Sequence, residues 1–204
     1  VSGNVSFYNG TNKKNINPTP VIGGVGLIKN VKNKINHLLK KDGNLVLQIG
    51  KTFGHLYQSI FFQELYSIMD GPPPDINLSN EKNNGEAVLK LINDKLLLSV
   101  HDISSGGLIL SLAEMSMSSG YGVKIEKPKK LSNLMEYYFG EDQGRYLIEV
   151  HQDDLQKIKK ILDENNVFNE IIGTVQKEHF EISGELKIDI NDLCKANNKW
   201  YNNY

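Results

Sequence analysis

Short, mostly apolar runs are spaced along the chain between stretches in which apolar residues recur every three or four positions. The short runs predict strands, and the periodic stretches predict amphipathic helices. The predicted strands are Val21 to Leu27, Leu45 to Ile49, Leu96 to Val100, Gly122 to Ile125, Arg145 to Val150 and Ile171 to Val175. Because strands and helices alternate, the pattern indicates an α/β or α+β domain from about residue 21 to 190.

The periodic stretches predict four helices. Leu56 to Met69 is the first, with Phe61, Leu65 and Ile68 on its apolar face, and the glycine and prolines of residues 71–74 end it. The other three are marked by Val88, Leu91 and Ile92, by Leu108, Leu112 and Met115, and by Leu155, Ile158 and Leu162. Asp153 and Gln156 form a predicted capping box at the start of the last helix.

The beginning of the chain reads as a linker. Residues 9–20 are rich in Asn, Lys, Thr and Pro, and proline both disfavours helix before it and breaks the ladder of a sheet. The predicted organisation is a short piece over 1–20, a domain over 21–190 and a tail over 191–204. The chain has no initiator Met and opens inside a motif, so we expect a fragment of a longer protein.

The composition argues against some classes of protein but does not indicate a reaction. A net charge of −1, a pI near 6.6 and scattered lysines give no electrostatic signature of nucleic-acid or anionic-membrane binding. No apolar run approaches the ~20 residues of a membrane span, and no signal peptide is visible. Cys194 is the only cysteine, which excludes an internal disulfide and fits a reducing cytoplasm.

Arg145 is the only arginine among 23 basic side chains, and it closes a crowded polar run over residues 139–146. A guanidinium binds a carboxylate or phosphate through two parallel hydrogen bonds, which a lysine cannot reproduce. Two interpretations stay open at this point. Either Arg145 binds a ligand in this way, or it pairs with Glu141 or Asp142 and holds a loop.

Two further segments read as a strand, a glycine-rich turn and a helix: Gly50 to Leu56 and His101 to Leu108. Backbone N–H groups of such a turn favour an anion, and Asp102 offers an oxygen to a hard cation. Turns of this kind also serve packing alone, and His55 is typical of a structural histidine. These segments therefore suggest an anion or metal site without naming a reaction.

A third segment, Ser2-Gly3-Asn4-Val5-Ser6, carries neutral oxygen ligands beside a glycine. Glycine lets the backbone approach a ligand closely. The oxygens of Asn4 and Ser6 suit Mg²⁺ that is bound to a nucleotide, because the phosphates then supply the charge.

Taken in order, these segments resemble one family. Residues 2–9, 18–27, 50–56, 99–108 and 139–146 are similar to the C-terminal part of the synthetase subunit of phosphoribosylformylglycinamidine synthases, in the aminoimidazole ribonucleotide synthetase superfamily. The resemblance runs to about residue 185. It implies a domain with a sheet covered by helices, in part ferredoxin-like. Tyr57 departs from the family, which usually has glycine there.

The resemblance also implies an activity. ATP phosphorylates the amide oxygen of formylglycinamide ribonucleotide, and ammonia from a glutaminase subunit then displaces phosphate to give the amidine. A small bridging subunit completes the complex in the small form of the enzyme, which the short C-terminal tail favours. The implied cofactors are ATP and Mg²⁺.

Matching motif to motif, the resemblance assigns roles to residues at the start of the chain. Gly3 would contact ATP, Asn4 would bind Mg²⁺ and Ser6 would contact the substrate. The catalytic histidine of the family lies upstream of this motif, so no catalytic residue is assigned here. Residues 1–20 would then be the C-terminal end of an ATP-binding domain plus the linker.

Family members are internally duplicated, and this chain resembles the second copy of the C-terminal-type domain. Asp102 and Glu141-Asp142-Gln143 would therefore line a second, non-catalytic cleft that is pseudo-symmetric with the true site. Arg145 would keep a loop or an auxiliary phosphate in place there. Two alternatives stay open: another ATP-using member of the superfamily, or a scaffold half without catalysis.

Overall fold

The computed structural model describes residues 10–11, 14–15, 23–128, 133–199 and 201. The chain forms two compact units, Val1–Lys32 and Asn33–Tyr204. In the first unit, β1 (Gly10–Thr11) and β2 (Lys14–Asn15) pair as an antiparallel ribbon inside the predicted linker. The predicted domain boundaries at residues 20 and 190 stay predictions.

The strand predicted from Val21 to Leu27 is wrong for its described part. Residues 23–28 are exposed and form no strand, and residues 21 and 22 lie outside the described residues. Val25 and Leu27 are almost fully exposed. The reason is the absence of side chains at Gly23, Gly24 and Gly26, since glycine weakens a strand and offers nothing to pack. A short 3-10 helix follows at Val31–Asn33.

The second unit contains a sheet of seven strands in the order β4-β6-β3-β7-β5-β8-β9. Neighbouring strands are antiparallel except β5 and β8, which are parallel. The strands are β3 (Leu45–Ile49), β4 (Ser99–Asp102), β5 (Gly122–Ile125), β6 (Tyr146–Val150), β7 (Asn169–Gln176), β8 (His179–Ile182) and β9 (Leu186–Asp189).

Six α-helices lie in the described residues: α1 (Ile60–Tyr66), α2 (Leu78–Asn93), α3 (Gly107–Ser119), α4 (Leu134–Phe139), α5 (Leu155–Glu164) and α6 (Ile190–Asn198). The units β3-α2-β4 and β6-α5-β7 give a four-strand order of β4-β6-β3-β7, which is the ferredoxin-like arrangement. The predicted mixed α/β class is therefore confirmed, and α3, β5 and α4 are inserted between its second and third strands.

Alternation along the central strands builds one core on each face of the sheet. Val46 and Leu147 face a core that includes α3 and α4, whereas Leu47 and Ile148 face α2 and α5. Successive side chains of a strand point to opposite faces, so each strand contributes to both cores. Each such buried side chain stabilises the fold by about 1.5–3 kcal/mol.

The first helix is shorter than predicted, and its predicted apolar face is wrong. Only Phe61 is buried, and its ring stacks on Phe139 at 4.7 Å between centroids. Leu65 and Ile68 are exposed. Ser59 caps the start by accepting from the N–H of Phe62, so the helix begins at residue 60. Helix α1 has seven residues, and Phe61 is the one that is buried. The helix is therefore too short to bury the predicted apolar face from Phe61 to Ile68.

The predicted capping box before the fourth predicted helix is also wrong. A 3-10 helix at Gln152–Asp154 precedes α5, and the ring of His151 accepts from the N–H of Asp153. The Asp153 carboxylate lies 3.2 Å from Nδ1 of His151, and α5 starts after its N-cap Asp154 without a side-chain capping bond. Helices α4 and α6 and strands β8 and β9 were not predicted, because their segments are polar or short. Within the described residues, no helix is long and apolar enough to cross a membrane.

Candidate functional site

A cleft of about 350 Å³ brings together all five residues that the sequence analysis placed in one site. It is lined by the end of β4, by the 141–146 run and by Glu81 of α2. The five residues are Asp102, Glu141, Asp142, Gln143 and Arg145. Gly3, Asn4 and Ser6 lie outside the described residues, so their roles toward ATP, Mg²⁺ and substrate stay predictions.

The Asp142 carboxylate points into the protein and holds the turn at residues 53–55. Its oxygens accept from the backbone N–H groups of Phe53, Gly54 and His55, at 2.8, 3.0 and 3.1 Å. Gly54 has a φ of +81°, and a Cβ there would lie 2.5 Å from the Cβ of Glu136. The turn therefore needs both the glycine and the carboxylate, and its N–H groups are not free to bind an anion.

The Glu141 carboxylate likewise accepts backbone hydrogen bonds, and it links the N-termini of two helices. One carboxylate oxygen accepts from the N–H of Ile60, at 2.8 Å, and of Gly106, at 2.7 Å. Its own N–H donates to the carbonyl of His55 at 2.8 Å. A carboxylate at a helix start satisfies N–H groups that lack a partner within the helix. Glu141 therefore fixes α1 against α3.

Arg145 is buried, with 1% of its surface exposed, and its guanidinium contacts loop atoms. Nη1 donates to the Thr52 hydroxyl at 3.0 Å, Nη2 donates to the Gly140 carbonyl, and Nε donates to the Asp142 carbonyl at 3.3 Å. The Asp142 carboxylate lies 3.8 Å from Nη1. Burial lowers the pKa of Arg145, and the nearby Asp142 opposes that change. These contacts match the loop-holding interpretation.

The solvent-facing side of the cleft, which we call the open side, differs from the buried side formed by Glu141, Asp142 and Arg145. Asp102, Gln143, Ser104 and Ser105 are exposed there. Tyr146 is half-buried beside them, and its pKa is raised by burial and then by the charges of Glu81 and Asp102. Among the described residues that line the cleft, the only basic side chain is the buried Arg145. The open side therefore presents oxygens and negative charge.

The open side can supply only a small share of the ligands of a metal–nucleotide complex. Glu141 and Asp142 already accept backbone hydrogen bonds, and the described residues contain no group of three metal-ligating side chains. Mg²⁺ in phosphate sites is bound through one or two carboxylates, with water and phosphate oxygens as the other ligands. Asp102 could serve as one such carboxylate.

His101, next to Asp102, contacts two carboxylates. Its Nδ1 lies 3.2 Å from Asp102 and its Nε2 lies 3.0 Å from Glu114 of α3. The ring of His37 is 5.2 Å away between centroids. His101 thus links the exposed cleft carboxylate to α3. No local sequence signal could show this, because Glu114 and His37 are distant in the chain.

A second cavity, of about 530 Å³, lies beside the turn at residues 53–57. Its lining includes Phe53, Tyr57, Phe62, Asp75 and Glu136. This cavity could not be predicted from the sequence, because residues 75 and 136 are brought to the turn by the tertiary fold.

Comparison with known proteins identifies the family to which this domain belongs. The family described as "AIR synthase related protein, C-terminal domain" matches residues 41–184, and the chain belongs to this family. The resemblance inferred from the motifs is therefore confirmed. Among curated relatives, the phosphoribosylformylglycinamidine synthase subunit PurL of Pelagibacter ubique is 50% identical over 204 residues, which are 100% of this chain and 28% of that protein.

A further relative and a solved structure are also similar to the chain. The same subunit of Rhodopseudomonas palustris is 39% identical over 204 residues, again 100% of this chain and 28% of that protein. The chain thus spans less than a third of the length of these curated relatives. Thermotoga maritima PurL complexed with FGAR superposes with a TM-score of 0.69 at 14% identity, over 80% of this chain and 30% of that one. This likeness shows a shared fold.

Proposed function

We propose that these residues are part of the synthetase subunit of a phosphoribosylformylglycinamidine synthase. The parent protein would join glutamine-derived ammonia to formylglycinamide ribonucleotide at the expense of ATP, in the cytoplasm. The observation that carries the proposal is the alignment of all 204 residues with PurL subunits at up to 50% identity. A Thermotoga maritima structure named PurLQS supports an assembly with further subunits, which we take to be a glutaminase and a small bridging subunit.

The proposed chemistry lies at the start of the chain. Gly3 would contact ATP, Asn4 would hold Mg²⁺ and Ser6 would contact the substrate. Bound ATP and Mg²⁺ would supply the phosphoryl group and neutralise its charge. Positioning and charge stabilisation are the contributions that a protein makes to such transfers. T. maritima PurL has been solved complexed with ATP and with FGAR, which supports ATP and substrate binding by the parent protein, whereas the roles of Gly3, Asn4 and Ser6 rest on the resemblance.

The cleft at Asp102 and Arg145 would be the second, non-catalytic one. Three of its five residues support that role, because the charged groups of Glu141, Asp142 and Arg145 are engaged by loop atoms. A scaffold function for this part of the parent protein is therefore compatible with the proposal. Asp102 and Gln143 would be left to face a metal–nucleotide complex.

Amidine formation by purified proteins tests this proposal. The full-length parent should convert formylglycinamide ribonucleotide with ATP, Mg²⁺ and ammonia, and residues 1–204 alone should show no turnover. An inactive parent would contradict the function. Turnover by residues 1–204 alone, above a control without protein, would contradict the proposed location of the site.

A further inference from the structure

The stretch from residue 52 to residue 81 differs in charge from the rest of the chain. It contains no lysine or arginine, although the chain has 23 basic residues. Glu64, Asp70, Asp75 and Glu81 give it a net negative charge. The same stretch exposes an unusual set of large apolar side chains: Phe53, Tyr57, Leu65, Tyr66, Ile68, Met69, Ile76 and Leu78. We call residues 53–78 the α1 surface.

Aromatic rings on the α1 surface form a connected row. Tyr57 lies 5.8 Å from Phe62, and Phe62 lies 5.7 Å from Tyr66, in edge-to-face geometry. The neighbouring Phe61 anchors the row by stacking on Phe139. Edge-to-face pairs favour fixed ring positions. The row is therefore a preformed feature of the fold, held from below by a buried ring.

The second cavity lies along this row and gives it the form of a groove. Phe53, Tyr57 and Phe62 supply its apolar lining, and Asp75 and Glu136 supply carboxylates. No lysine or arginine is among the described residues that line it. Its chemistry therefore complements a surface that combines apolar and basic side chains.

A large exposed apolar patch on a protein marks an interaction site. We propose that the α1 surface docks against an apolar and basic polypeptide surface in the part of the parent protein outside these 204 residues. This inference rests on the proposed function, because it takes the chain to be part of a longer subunit like its relatives. Those relatives align over only 28% of their length, so most of their chain is available as the partner. A partner in the same chain has a high effective concentration, which favours it over a separate molecule.

Hydrogen exchange of the full-length parent tests the proposal, with two leucines as a matched pair. Leu65 of α1 is 66% exposed and Leu89 of α2 is 59% exposed, so neither change disturbs the core. The amides of residues 60–69 should exchange at least about tenfold faster in Leu65→Ser than in the unmodified parent, because docking is lost. Leu89→Ser should leave them unchanged. Asp75→Lys, which sets like charges against each other, should act like Leu65→Ser.

Two outcomes would overturn the proposal. Equal exchange in the Leu65→Ser and Leu89→Ser parents would show that nothing covers the α1 surface. Protection that depends on protein concentration, or on added glutaminase and bridging subunits, would assign the surface to a second copy or to another subunit. The activity of the unmodified parent is measured in parallel. Its absence would remove the proposed function while leaving the exchange comparison intact.

Discussion

The two sides of the Asp102 cleft are neighbours in sequence but differ in what their polar groups contact. Asp142 is buried, and three backbone N–H groups of a distant turn donate to its carboxylate. Gln143, the next residue, is exposed to the cleft. Arg145 is buried again and reaches Thr52 and Gly140. The most conspicuous charged motif of the chain is thus largely a brace for loops, and only part of it can meet a ligand.

The largest expected effect is a loss of unfolding free energy when the buried side of the cleft is changed. Asp142→Ala leaves the N–H groups of residues 53–55 without an acceptor and the Arg145 guanidinium without its nearby negative charge. Removing one partner of a buried charged network costs about 3–5 kcal/mol. The free energy of unfolding, measured with urea, should fall by about that amount. Gln143→Ala is the matched control and should change it by no more than about 0.5 kcal/mol. Equal losses of unfolding free energy in the two variants would show that the buried and open sides contribute equally to stability.

A second prediction concerns Asn4, the proposed Mg²⁺ ligand. In the full-length parent, Asn4→Ala should lower amidine formation by roughly 10- to 100-fold, because a metal contact is lost. Steady-state rates across a Mg²⁺ titration measure this. Unchanged kinetics at every Mg²⁺ concentration would mean that Asn4 only shapes a turn.

The smallest expected effect is a change in the pKa of Tyr146, on the open side of the cleft. Burial, Glu81 and Asp102 raise the pKa of Tyr146 above its ordinary value. A raised tyrosine pKa means that its contribution to stability is complete below the ordinary value and is lost as the pH rises through the folded value. Asp102→Asn removes one of the negative charges, so the pKa of Tyr146 should move down toward its ordinary value. Carbon-13 NMR of the tyrosine ring measures it, and Gln143→Glu, which adds a charge to the same side, should move it the other way. A pKa that rises in Asp102→Asn would contradict the arrangement.

Much of the fold could be predicted from the sequence, because its strands carry clear apolar runs. Leu45 to Ile49 and Gly122 to Ile125 were predicted with their observed bounds. The glycine-rich turn at Gly50 was placed correctly between a strand and a helix. Gly50 has a φ of +84°, and a Cβ there would lie 2.7 Å from the Gly144 carbonyl oxygen, so only glycine fits where the turn meets the 139–146 run.

The directions of the side chains could not be predicted. The family resemblance implies that Asp102 and Asp142 belong to one site, and the structure places both in the cleft lining. Which of them faces inward depends on the N–H groups of residues 53–55, almost 90 positions away in the chain. Likewise, Leu65 has helical spacing from Phe61 but is exposed, and α1 ends at its C-cap Ser67, which has a left-handed backbone with a φ of +55°.

Arg145→Lys in the full-length parent distinguishes a loop-holding arginine from a ligand-binding one, because it keeps the charge but removes the forked hydrogen bonds to Thr52 and Gly140. Unfolding and steady-state kinetics are measured on the same preparation. The free energy of unfolding should fall by about 1–3 kcal/mol, with the Michaelis constants for ATP and substrate nearly unchanged. A large fall in turnover at an unchanged melting temperature would contradict this prediction, and would place the chemistry in this cleft rather than at Gly3 and Asn4.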